Sequence, residues 1–179
     1  MTEISYRTPT LADADALCVL ARDTFIETFG HLYSDADLNA FLDKTFGPTG
    51  LPVEMADPAF ALRIAEADGA MVGYCKVGPL YLDVDATGRR ALELRQLYVR
   101  RSHHGAGIAP TLMAWALAEM RRRGAEDVYL SVWSENERAK RFYARYGFVE
   151  VGRTLFMVGD QADDDRIWKL TFAPETAAA

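Results

Sequence analysis

Cysteine is nearly missing from this chain: two occur in 179 residues, Cys18 and Cys75, far apart and both in apolar contexts. That excludes a disulfide scaffold, and the lack of any C-x-x-C spacing excludes a zinc ribbon or dithiol redox centre. Both read as buried free thiols without a histidine partner for nucleophilic work, and a reducing cytoplasm fits them. Histidine is as scarce. His31, His103 and His104 have no ligand spacing with each other or with cysteine, so no metal is expected. No apolar run reaches the roughly 18–20 residues that cross a bilayer, and Glu3 precedes any basic-then-apolar leader, so neither a membrane span nor a secretory signal is expected. Positive charge is in deficit. Twenty Lys+Arg stand against 26 Asp+Glu, a net charge of −6, which excludes the basic stripe of a generic nucleic-acid binder and leans toward cationic small molecules.

What is present is the composition of one globular domain, half apolar and 26% charged. It has no internal repeat and no long linker, so one domain over 3–172 is expected, with an alanine-rich, frayed tail at 173–179. Ile4–Thr8 reads as a strand. Thr10 and Asp13 form a capping-box-like start to a helix reaching Phe29, with Leu17, Leu20, Ala21 and Phe25 at helical spacing. Ser34 would cap a second helix to Phe46, and a short turn near Val53–Ala56 follows the Gly47–Pro52 break. Phe60–Glu66 and Met71–Val77 flank Asp68-Gly69, a hairpin signal. The remainder reads as a strand at Leu92–Val99, a helix at Ala109–Arg123, a strand at Val128–Trp133, a helix at Glu135–Tyr146, and strands at Val149–Val158 and Arg166–Phe172. This order is mixed α/β, and a ligand would sit in the half with the parallel crossover, at the carboxyl ends of the strands.

The chemistry concentrates between Leu92 and Ala109. A strand feeds a loop, His104-Gly105-Ala106-Gly107-Ile108-Ala109, that opens a helix. Glycines let backbone approach an anion, and a helix N-terminus offers unpaired N–H groups, so the arrangement suits a pyrophosphate, although taken alone it also reads as a glycine turn before a helix. A Walker loop is excluded because no Gly-Lys-[Ser/Thr] follows, and Pro110 stands where a dinucleotide fingerprint needs its third glycine. Past the next strand comes Asn136-Glu137-Arg138-Ala139-Lys140-Arg141-Phe142-Tyr143, then Gly147-Phe148.

Together these segments resemble the GNAT superfamily of acetyl-CoA-dependent N-acetyltransferases. Its loop pattern, [Gln/Arg]-x-x-Gly-x-[Gly/Ala], is matched except at His104, and its Asn-x-x-Ala-x-x-Phe-Tyr…Gly-Phe pattern is intact. The resemblance implies a GNAT fold, with a central mixed, mostly antiparallel sheet of six to seven strands and about four helices. It implies acetyl-CoA as cosubstrate, no metal, and direct attack by a primary amine. Leu97, Tyr98 and Val99 would pair with the pantetheine arm, His104, Gly105, Ala106, Gly107, Ile108 and Ala109 would donate N–H groups to the pyrophosphate, and Asn136 and Tyr143 would contact the cofactor near its thiol. Glu93 would be the base and Tyr143 the acid, while Phe29 and Tyr33 would wall the acceptor cleft.

Each residue has a plainer reading beside the functional one. Glu93 is equally a surface carboxylate whose pairing with Arg95 would lower its pKa. Tyr143 shares a helical face with Ala139, Phe142 and Tyr146, and so is equally core. Asn136 competes as a cap with a Ser134/Glu137 box, and His104 as a solvated loop residue. Looser similarity to the bacterial polyamine and diamine branch, with Asp160, Asp163, Asp164 and Asp165 in the last hairpin, implies a small polyamine acceptor. A protein N-terminus or lysine, or a silent acetyl-CoA sensor, are the alternatives, and a homodimer is common among similar proteins. Taken alone, the acidic cluster reads as a solvated turn.

Overall fold

The computed structural model describes residues 3–174. Its seven strands are β1 (Ile4–Arg7), β2 (Ala61–Ala67), β3 (Ala70–Pro79), β4 (Ala91–Val99), β5 (Asp127–Trp133), β6 (Val149–Val158) and β7 (Gln161–Thr171). Five helices accompany them: α1 (Ala14–Phe29), α2 (Asp35–Phe46), the six-residue α3 (Leu51–Ala56), α4 (Ile108–Arg122) and α5 (Glu137–Ala144). The mixed α/β architecture expected from the sequence, four full helices and a short turn around one sheet, is present. Residues 175–179 of the expected frayed tail lie outside the described residues.

The sheet runs β1-β2-β3-β4-β5-β7-β6 and is antiparallel except where β4 meets β5. Local sequence explains its two hairpins. Asp68 and Gly69 both adopt positive φ, 50° and 77°, the conformation a two-residue turn between right-twisted strands requires. At the other end, Val158 pairs with Gln161 around a turn at Gly159 and Asp160.

Helices cover both faces. α1 buries Leu17, Leu20, Ala21, Thr24 and Phe25, a stripe at i, i+3, i+4, i+7 and i+8. It packs with α2, α3, Tyr74 and Ile64 on one side. On the other side α4 inserts Ile108, Leu112, Met113, Ala116 and Met120 over β2, β3 and β4. Leu17 and Leu112 are fully buried, each contributing about 1.5–3 kcal/mol.

One irregularity orients the middle of the sheet. Lys76 faces Gln96, but Val77 faces Leu94, so Arg95 is an extra residue bulged out of β4. Strand side chains alternate with period two, and a bulge resets that alternation. Leu92 and Leu94, before it, and Leu97 and Val99, after it, therefore all meet the α4 side, while Tyr98 meets the α1 side.

Candidate active site

β4 and β5 form only three rungs, Ala91–Asp127, Leu92–Val128 and Glu93–Tyr129, before they separate. Beyond Glu93 the β5-facing edge of β4 has no ladder partner, and the two strands open a wedge. The wedge belongs to a cleft of about 1030 Å³ that crosses the sheet.

At one end the cleft is closed by the loop before α4. Gly105 and Gly107 sit at φ 86° and 78°, and a Cβ at either would meet only open space. This left-handed backbone suits glycine and leaves the first-turn amides of α4, those of Ile108 and Ala109, directed outward. The amide of His104 instead donates to Arg101 O at 3.1 Å, and that of Ala106 to His103 O at 3.4 Å. The His104 ring bridges Val99 O through Nε2, at 2.9 Å, and Arg138 through Nδ1, at 2.7 Å. Arg138 can only donate, so Nδ1 accepts and Nε2 carries the hydrogen. His104 is thus a strut that holds Arg138 beside the glycine loop.

A family model for acetyltransferases of the GNAT family matches residues 15–148. The chain belongs to the acetyltransferase (GNAT) family. It is 30% identical over 157 residues to an uncharacterised N-acetyltransferase of Lactobacillus delbrueckii, covering 88% of this chain and 91% of that one. An uncharacterised N-acetyltransferase of Mycobacterium bovis is 32% identical over 157 residues, covering 88% and 96%. Among solved structures, the PaiA N-acetyltransferase of Thermoplasma acidophilum in complex with coenzyme A superposes with a TM-score of 0.74 at 20% identity, covering 95% of this chain and 99% of that one, a likeness of fold.

In this acetyltransferase the residues singled out from the sequence converge. Leu97, Tyr98, Val99, His104, Gly105, Gly107, Ile108, Ala109, Asn136, Tyr143, Phe29, Tyr33 and Glu93 all line the one cleft; Ala106 does not. Asn136 is the N-cap of α5, its Oδ1 accepting the Ala139 amide at 3.1 Å, and the Ser134/Glu137 box is not formed. The Tyr143 ring packs against Phe142 and Phe148, with centroids 5.5 and 5.9 Å away. Core and cleft readings of Tyr143 therefore both hold. Burial pushes its hydroxyl above the ordinary tyrosine range, with Tyr98 and Cys75 adding to the shift, so it stays protonated near neutrality.

Glu93 is buried rather than a surface carboxylate. Its Oε2 accepts the amides of Tyr81 and Leu82 at 2.8 and 3.3 Å, and its Oε1 lies 3.3 Å from Arg95. Arg95 lies over the Tyr81 ring, 4.3 Å from its centroid. Pairing was expected to lower the Glu93 pKa. Burial outweighs Arg95 and the two amides, and the net direction is up. Nearby, buried Lys76 is paired with Glu54, and burial lowers its ammonium despite that partner. Of the cysteines, Cys75 is buried and its thiol pushed up by burial, while Cys18 is only half-buried.

The acidic cluster is a solvated turn only at Asp160, exposed between β6 and β7. Asp163–Asp165 belong to β7, which begins at Gln161 and not at Arg166. Strand alternation divides them. Asp164 points out to Arg166, at 2.9 Å, whereas Asp163 and Asp165 turn into the cleft at 9% and 5% exposure. The Tyr33 hydroxyl donates to Asp163, which also accepts from Gln161 at 2.9 Å. Asp165 lies opposite Trp133 and within reach of the Ser131 hydroxyl. Burial raises its carboxyl to about 6, Ser131 opposing and Asp163 and Asp164 adding to the rise. Sequence reasoning placed Asp165 in a hairpin toward the acceptor rather than inside the cleft, and missed Ser131. The i, i+2 spacing of Asp163 and Asp165 was the available signal, once the segment is read as a strand.

Proposed function

We propose that this cleft binds acetyl-CoA and passes its acetyl group directly to a small primary amine that carries a second positive charge. The observation that carries the reading is the carboxylate wall of Asp163 and Asp165, buried in the cleft and backed by Tyr33. The open edge of β4 suits an extended amide-bearing arm, which would add to it as a strand does, at Leu97–Val99. The Gly107-led start of α4, with Arg138 beside it, suits pyrophosphate. Tyr143 would protonate the departing thiolate. Phe29, 6.5 Å centroid to centroid from Tyr98 and 6.3 Å from Trp133, would wall the acceptor's hydrocarbon.

A carboxylate bonded to an ammonium in a dehydrated cleft is worth about 1.5–3 kcal/mol, or roughly 10–100-fold in affinity. The expected result is a kcat/KM for spermidine at least about 10-fold above that for a neutral-tailed amine of similar length. The preference should shrink as salt rises and in Asp163→Asn. Equal, salt-independent rates for the two amines would defeat the cationic-acceptor reading and make a peptide N-terminus the next acceptor to assay. Absence of thiol release with any amine would leave an acetyl-CoA sensor.

A further inference from the structure

Three carboxylates in the cleft are buried, Glu93, Asp163 and Asp165. Both oxygens of Asp163 are taken, by the Tyr33 hydroxyl and the Gln161 amide, and the other two carboxylates are held in opposite ways. The Glu93 Oε2 is occupied by two backbone amides, and Oε1 faces the Arg95 guanidinium. Amide donors cannot turn round. They favour the ionised carboxylate, and they hold weaker bonds to Oε2 when the group is protonated. Their geometric effect is to tie residues 80–82, the segment leaving β3, against β4. Glu93 also stands at the last β4–β5 rung, opposite Tyr129, where the wedge is closed.

Asp165 is held by a group that can turn. A serine hydroxyl donates to a carboxylate and accepts from a carboxylic acid, so Ser131 serves Asp165 in both protonation states. Asp165 lies across from Trp133, four residues of β5 beyond the last rung, where the wedge is open. Its charge bears on the Tyr98 hydroxyl, and that hydroxyl bears in turn on Tyr143. Asp165 on β7, Tyr98 on β4 and Tyr143 on α5 all line the cleft.

We infer that Asp165 takes the proton from the acceptor ammonium, and that Glu93 is a positioning residue for the 80–82 segment. The inference rests on the amine-acetylation reading above. The ammonium gives one proton to the Asp165 carboxylate, and the freed lone pair forms the C–N bond at the thioester carbon. As the C–S bond breaks, the Tyr143 hydroxyl protonates the thiolate, and the second nitrogen proton replaces the one Tyr143 gave. Asp165 then returns its proton to solvent. Products are the amide, the free thiol and one released proton.

The pH dependence follows from what faces Asp165. These groups are Asp163 on the same face of β7, Ser131 on β5, Tyr98 on β4, and Tyr33 after α1, whose hydroxyl is raised by burial and then by Asp163 and Asp165; Asp164 adds its charge from the opposite face of β7. The carboxyl titrates near 6, so the base form is lost as pH falls through that value.

The test is kcat/KM against pH for a turned-over amine in wild type and three variants, with acetyl-CoA affinity measured by calorimetry. Wild type should lose rate below about pH 6. Asp165→Asn should fall roughly 10²–10³-fold at pH 7, lose that acid limb, and keep acetyl-CoA affinity within a few-fold. Ser131→Ala, which removes the donor that favours ionisation, should move the limb to higher pH. Glu93→Gln should act mainly on the amine KM and leave the limb in place. An acid limb retained in Asp165→Asn, unmoved in Ser131→Ala, or abolished in Glu93→Gln overturns the inference. A wild type that acetylates no amine overturns the amine reading and this assignment together.

Discussion

Tyr143→Phe should lower kcat by about 10²-fold or more while leaving acetyl-CoA affinity and thermal stability nearly unchanged. The substitution removes one oxygen and keeps the ring, and the ring makes the contacts with Phe142 and Phe148 on the core side of α5. Among the described residues no group hydrogen-bonds the hydroxyl, so its loss strands none of them. An ordinary tyrosine is already protonated at neutral pH, and burial here raises it further. It can therefore give a proton only to a group generated in the reaction, such as a thiolate leaving a carbonyl carbon. The effect belongs to kcat, because the hydroxyl's work begins after both substrates are bound. Single-turnover rates with purified variant would check it. Wild-type turnover in a folded Tyr143→Phe protein would leave the tyrosine a core residue whose oxygen merely faces the cleft.

The second large effect concerns stability. Asp127 opens β5 with a fully buried side chain. Its carboxylate takes Arg89 from the chain before β4, Thr171 at 2.7 Å and Lys169 at 3.0 Å from β7. It therefore clamps three segments below the three rungs where β4 and β5 still pair. Asp127→Asn keeps the shape but sets an amide N–H against a ring of donors. Removing one partner of a buried pair costs about 3–5 kcal/mol. Arg89 and Lys169 are 40% and 26% exposed and can turn to water, so the lower end, about 3 kcal/mol, is expected. At this chain length that is roughly 6–12 °C in Tm. The pH dependence has a definite sign. Burial pushes the carboxyl up, but Arg89, Thr171 and Lys169 outweigh it and bring the carboxyl down to about 2 from an ordinary 3.8. A depressed carboxylate contributes stability above its unfolded pKa and loses it as pH falls toward the folded one. Wild type should lose this contribution between about pH 4 and 2, and Asp127→Asn should show no loss of that origin. Equal Tm values for the two proteins at pH 7 would show the clamp to be dispensable.

Most elements were legible because their signals are local. The Thr10–Asp13 box, the Ser34 cap on Asp37, the Asp68-Gly69 turn and the stripe of α1 all formed as their residues dictate. Two departures were not. β7 starts five residues early because its aspartates, poor strand formers by themselves, pair with β6 from Gln161 on and place alternate carboxylates in solvent and cleft. α5 is shorter than its apolar spacing allows, since Asn136 caps it and Gly147, at φ 89°, lies in the turn that follows it. The bulge at Arg95 has no sequence signature; it exists because β3 and β4 must bury their apolar residues on the same side both before and after it. The candidate site was readable where it uses backbone, as at Gly105 and Gly107, and at the Phe142-Tyr143 pair. Glu93 and Asp165 could be named as carboxylates, but what each is bonded to depends on amides 11 and 12 positions away in the chain or on a neighbouring strand.

The short seam between β4 and β5 has a kinetic consequence. Tyr98 and Phe29 belong to one half of the sheet and its helices, Asp165 and Ser131 to the other. The strands of the two halves pair over only three rungs, and beyond those rungs the cleft is crossed by side-chain contacts such as Tyr33–Asp163 and His104–Arg138. A molecule lying along the open edge of β4 would fix the spacing of the halves and so complete the second substrate's site. Ordered addition is then expected, acetyl-CoA before amine, with coenzyme A leaving last. Thermodynamic reciprocity requires the amine to tighten coenzyme A by the same factor by which coenzyme A tightens the amine. Calorimetric titrations run in both orders would measure that factor, and a value of one would mean that the halves are already rigid without the cofactor.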